Sequence, residues 1–226
     1  MKRSSKCTTV ASSRVVYKPI GNLFWTSKKV ISNNYRNWFN KNYILKYFRI
    51  EKKYNIAIEI YSELIDTKPN DLWYTYYLRG ICYEQSDNWE KAELDFLQSL
   101  KIKRNSPNVL NYLAYGWIER DIKIDESFVM LTDAYNANPD SHYILDSLAW
   151  AYFKKKDFVK AAELMERVID MVPGEAISLD HLGDIYLEMN RKREAIYFWR
   201  QAKDLAKPED KIISKIESKL RDYNAS

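Results

Sequence analysis

The sequence predicts an all-α solenoid of stacked antiparallel helix pairs, and three observations carry that prediction. Residues 110–117 (LNYLAYGW) can be laid over residues 145–152 (LDSLAWAY), a shift of about one 34-residue helix-turn-helix unit. Small residues recur at two fixed places in each unit, as in Gly80 with Ala92, Ala149 with Ala161 and Gly183 with Ala195. They let paired backbones approach at helix-packing distance. Prolines at 69, 139, 173 and 208 then follow each second helix, because proline lacks the amide donor and disfavours helix in the residue before it.

From the amino terminus, residues 1–30 read as a basic arm. Residues 1–50 hold eleven Lys or Arg and no Asp or Glu, leaving 25 basic and 31 acidic residues for the rest of a chain whose net charge is +5. Low hydrophobicity and richness in Ser, Thr and Lys predict that this arm is disordered. The same composition fits an organelle transit peptide, whereas Lys2 and Arg3 are followed by no apolar run of a secretory leader. Trp25, Tyr35, Trp38, Phe39, Tyr43 and Tyr47 interleave with Lys28, Lys29, Arg36, Lys41 and Lys46. That pattern suits a cover for the first repeat, and it also suits an anionic membrane or single-stranded nucleic acid.

Residues 31–70 predict a degenerate first unit. Ala57, Tyr61, Leu64 and Pro69 keep its second helix, while Lys41, Ile44, Leu45 and Phe48 only sketch its first. Four further units are predicted at about 73–106, 107–141, 142–175 and 176–209. The first has Tyr76, Gly80, Tyr83, Ala92 and Phe96, but Arg79 and Ser99 stand where apolar residues are usual. The second has Leu110, Leu113, Ala114, Trp117, Ser127, Leu131, Ala134 and Pro139, with one extra residue in the turn between Asp121 and Asp125. The third is filled by Leu145, Leu148, Ala149, Tyr152, Ala161, Met165, Val168 and Pro173, and the fourth by Leu179, Leu182, Gly183, Tyr186, Ala195, Trp199 and Ala202. Residues 210–226 predict a capping helix, with Ile213, Ile216 and Leu220 inward and Lys211, Lys215, Lys219 and Arg221 outward.

By these residues the chain resembles the tetratricopeptide-repeat (TPR) family over residues 38–208, and within it a bacterial subgroup. The resemblance implies a right-handed superhelix of helix pairs that acts by binding. Members of that subgroup are often longer and exported, some being envelope adaptors, so the chain is read as cytoplasmic or, with a shortened amino terminus, as a periplasmic remnant. The family's concave face is lined by the second, fifth, ninth and twelfth residues of each first helix. Here these include Tyr74, Tyr77, Asn111, Tyr115, Asp146, Trp150, Asp180 and Asp184, the candidate partner-binding residues. Of these, Tyr77, Tyr115, Asp146, Trp150, Asp180 and Asp184 are expected to be exposed, and Ile81, Ile118 and Leu187 to pack between repeats. The resulting groove is aromatic with an acidic end, suited to a peptide or helix with apolar anchors and basic residues. The Lys, Asn and Arg pattern by which some members grip a chaperone's terminal carboxylate is missing.

The function classes that remain are poorly supported. His142 and His181 have no second metal ligand at helical or hairpin spacing, and no phosphate-cradling glycine loop or nucleophile elbow occurs. No enzyme, cofactor, metal or small-molecule substrate is therefore expected. Cys7 and Cys82 make no disulfide framework, and Cys82 reads as a core residue.

Overall fold

The computed structural model describes residues 45–207 and 212–224. The expectations for the arm, for the start of the degenerate unit and for Pro208 lie outside the described residues. By its contacts the chain divides at residue 48, and residues 48–226 carry ten complete helices among the described residues. They are α1 (Tyr54–Asp66), α2 (Leu72–Gln85), α3 (Trp89–Ile102), α4 (Pro107–Ile118), α5 (Ile124–Ala137), α6 (His142–Lys154), α7 (Phe158–Met171), α8 (Ala176–Glu188), α9 (Lys192–Leu205) and α10 (Ile212–Asn224). From α2 to α9 they pack as successive pairs, more extensively within a pair than between pairs.

A single turn builds every pair. Lys52, Asp87, Asp121, Lys156 and Asn190 all adopt left-handed backbone, with φ between 54° and 65°. The next amide donates five residues back: Lys53 N to Phe48 O at 2.8 Å, Asn88 N to Tyr83 O at 2.9 Å, Ile122 N to Trp117 O at 3.0 Å, Asp157 N to Tyr152 O at 3.0 Å and Arg191 N to Tyr186 O at 2.8 Å. This is the hydrogen-bonding of a Schellman helix end, and in each case the acceptor is the aromatic of the repeat. Phe48 therefore takes the aromatic's place in the first unit, so the degenerate repeat keeps its turn after its sequence motif has faded. The second unit's turn holds the expected insertion, with Lys123 also left-handed at φ 49° before α5. Asn88 and Asp157 cap the following helices by accepting from Lys91 N and Lys160 N.

In two of the pairs, α2 with α3 and α8 with α9, the glycine of the first helix faces an aromatic of the second. A Cβ on Gly80 would come within 2.7 Å of the Phe96 ring, and one on Gly183 within 2.4 Å of Trp199. The expected close approach holds, but the group filling it is this large aromatic as well as the small partner Ala92 or Ala195. Between pairs, Gly116 receives Trp89, whose ring would lie 2.0 Å from an added Cβ. Ala149, Ala161, Met165, Leu179 and Trp199 belong to one continuous buried cluster that runs from α4 to Ile216 of α10. Cys82 is wholly buried and burial pushes its thiol up to about 11, as suits a core residue.

Arg79 and Ser99, polar at apolar places, are both satisfied. Arg79 makes a two-pronged bond to Asp95 at 2.7 and 2.8 Å and a third to Ser62 Oγ at 2.9 Å, tying α2 to α3 and α1. Ser99 Oγ donates to Trp73 O at 2.7 Å.

Candidate functional site

The first helices α2, α4, α6 and α8 present the candidate residues, and the structure sorts them into a rim and a floor. Tyr74 is 39% exposed. Tyr77, Asn111, Asp146, Trp150 and Asp180 are buried, while Tyr115 and Asp184 are half-buried. The expectation of exposure is thus corrected for Tyr77, Asp146, Trp150 and Asp180. Residues at these places point between successive first helices, where the side chains of the next repeat cover them. Ile118 packs fully between repeats as expected, and Ile81 and Leu187 do so in part.

Toward the amino-terminal end the floor is aromatic. Tyr77 lies 5.5 Å from Tyr112 edge-on, 5.9 Å from Tyr74 and 6.3 Å from Phe96. Burial holds the phenols of Tyr77 and Tyr115 well above the ordinary tyrosine range, so both stay neutral. Asn111 leaves its Oδ1 buried without a hydrogen-bond partner among the described residues.

Toward the carboxy-terminal end the floor is a partly buried polar network that joins Glu119, at the end of α4, to α6, α8 and α10. The Trp150 ring is stacked between Phe153 at 4.4 Å and His181 at 4.2 Å, and its Nε1 donates to Glu119 at 2.7 Å. Asp146 accepts from Ser178 Oγ at 2.6 Å and faces His181 Nδ1 at 3.0 Å. Burial disfavours the charged imidazole, but the carboxylates of Asp146, Glu119 and Asp180 outweigh it and raise the His181 pKa. His181 is therefore more than a packed helix residue. Asp180 and Asp184 both bind Lys219 of α10, at 2.7 and 2.5 Å, and Trp199 Nε1 donates to Asp184 at 3.0 Å. Burial raises the Asp184 pKa even with Lys219 opposing it.

Lys219 corrects a second expectation, since it points inward and not to solvent. Its neighbour one turn earlier, Ile216, is fully buried, and helical spacing puts the two on one face. That spacing could have placed Lys219 from sequence. Ser178, His181 and Glu119 could not be found in this way, because their roles appear only when α4, α6 and α8 lie side by side. Both ends are thus internally occupied, and the accessible part of the face is its rim. There Tyr143 is 38% and Ile177 is 45% exposed, at the same repeat place as Tyr74. Tyr143 donates its hydroxyl to Asn108 Oδ1 at 2.9 Å, which fixes the ring.

Among the described residues no group of three His, Cys, Asp or Glu is placed to hold a metal, and no helix is long and apolar enough to cross a membrane.

A tetratricopeptide-repeat family model matches residues 145–174. A TPR repeat-containing protein of Pseudomonas aeruginosa is 23% identical over 108 residues, covering 48% of this chain and 18% of the relative's length. Among solved structures, the thermophilic TPR protein TTC0263 of Thermus thermophilus matches with TM-score 0.65 at 15% identity, over 83% of this chain and 98% of its own. MamA from Desulfovibrio magneticus matches with TM-score 0.60 at 18% identity, over 75% and 95%. YrrB, described as a TPR protein with an unusual peptide-binding site, matches with TM-score 0.57 at 15% identity, over 85% and 97%. With the repeat motif, the recurring turn and these likenesses together, the chain has the fold of a tetratricopeptide-repeat solenoid, and residues 145–174 match the family's repeat.

Proposed function

We propose that the chain is a protein-interaction scaffold that captures a peptide or helix along the face formed by α2, α4, α6 and α8. The observation that carries this reading is the rim. Tyr74, Tyr143 and Ile177 sit at one repeat place in three units, each more than a third exposed, above a floor whose polar groups are largely paired internally. Exposed aromatics held on a rigid base suit anchor contacts, because little freedom is lost when they are covered. Solenoids of this class present extended surfaces of this kind, and the peptide-binding site described for YrrB favours the same use here. The residues beyond the first fifty carry 25 basic and 31 acidic residues, which favours a partner with basic residues among its apolar anchors.

The experiment is a selection of displayed peptides on the full chain, followed by affinity measurements on variants. Tyr74→Ala with Tyr143→Ala is expected to weaken the selected peptides at least about tenfold, as loss of anchor aromatics does. Tyr197→Ala, which removes an exposed aromatic of the second helix α9, is expected to leave affinity unchanged. The opposite pattern would move binding to the outer face.

A further inference from the structure

We propose that α10 is an internal occupant of the acidic end of this face, with Lys219 holding the carboxylate pair that a lysine or arginine of the partner would otherwise take. The proposal rests on the reading of the face given above and adds a contact that restrains it.

Asp180 and Asp184 lie one turn apart on α8, so their charges repel unless a cation sits between them. Lys219 supplies it from a different helix, with its ammonium at 2.7 Å from Asp180 and 2.5 Å from Asp184. Its side chain is 15% exposed and that of Asp180 only 4%, so the pair is screened far less than a surface pair. The Trp199 ring lies 5.4 Å from the same ammonium, and its Nε1 binds Asp184. Aromatic ring, indole donor and two carboxylates together form a seat for one ammonium or guanidinium group.

The helix that delivers this group is lightly held. Ile216 is its one fully buried residue among those described, Ile212 and Leu220 are only partly buried against the core, and a further ion pair, Lys203 with Glu217, is about two-fifths exposed at both ends. Tyr223 adds a tilted contact with Trp199 at 5.6 Å. A helix of 13 residues does not persist alone in water, so α10 is helical because it is docked. A partner that brings its own cation to Asp180 and Asp184 competes with Lys219 for the seat, and α10 yields as its charge contact is replaced.

The test uses the full chain with α10 loosened by Ile216→Ala and Lys219→Met. The probe is a fluorescent peptide of residues 212–224, beside the same peptide carrying Lys219→Met. The loosened chain is expected to bind the native peptide at least ten times more tightly than the Lys219→Met peptide. The unaltered chain is expected to bind the native peptide at least ten times more weakly than the loosened chain does. Amide exchange over 212–224 is expected to accelerate at least tenfold in the loosened chain, with α6 to α9 unchanged. Equal binding of the two peptides, no binding of either, or a loosened chain that unfolds beyond α10 would each overturn the proposal. The readout is independent of the rim: failure of Tyr74→Ala with Tyr143→Ala to affect captured peptides would strike the reading of the face and leave the latch standing.

Discussion

Lys156 shows how a single backbone angle sets the repeat. It lies at φ 65°, exposed, in a turn whose four counterparts are Lys52, Asp87, Asp121 and Asn190, and no described glycine has positive φ. A left-handed residue with a Cβ is strained, and glycine relieves that strain while losing more chain entropy. Lys156→Gly is therefore expected to stabilise the protein by about 0.5 to 1 kcal/mol in urea denaturation; a loss of stability would contradict the turn assignment. The glycines present serve packing instead. Gly183→Ala drives a methyl to within 2.4 Å of Trp199, whereas at Gly174 nothing lies within 4 Å. The first change is expected to cost about 1 to 3 kcal/mol by overpacking, as is Ala149→Leu, and Gly174→Ala is expected to be neutral. Equal melting temperatures for Gly183→Ala and Gly174→Ala would contradict the packing. The small residues were legible in the sequence as points of close approach. The aromatics that face Gly80, Gly116 and Gly183 were not, because spacing along one chain does not say which ring turns into the gap.

Pairs of helices depend on a few buried polar ties. Arg79 joins α2 to Asp95 of α3 and Ser62 of α1, between the rings of Tyr76 and Tyr83. Removing it leaves the Asp95 carboxylate buried and unpaired. Arg79→Met is expected to cost about 3 kcal/mol, and adding Asp95→Leu to recover most of that; a double variant no better than the single one would show that the pair does not act as a unit. The sequence marked Arg79 and Ser99 as departures from the motif, and the structure shows them satisfying each other's helices. His181 ties α8 to α6 in a pH-dependent way. Its pKa is raised in the fold, so its contribution is fully present below the ordinary histidine value of about 6.5 and is lost as pH rises through the folded value. Urea midpoints are expected to fall over that rise in the parent and to change less in His181→Gln. Identical pH profiles for the two proteins would contradict a charged His181 beside Asp146.

Across the whole molecule, the number and period of helix pairs were legible because each pair needs the same small, aromatic and proline places. The candidate face was legible only as positions on helices. Periodicity assigns a residue to a face, but it does not show that the next repeat covers Tyr77, Asp146, Trp150 and Asp180, or that Lys219 returns to seat itself on Asp180 and Asp184. What remains accessible is a rim of Tyr74, Tyr143 and Ile177, and capture at that rim is the central claim. The most direct measurement is photo-crosslinking in cells, with a benzophenone amino acid placed at Tyr143 on the inner rim or at Tyr197 on the outer surface of α9. Capture on the inner face predicts discrete crosslinked protein partners from position 143 and none shared with position 197. The same partners from position 197, with none from position 143, would contradict it.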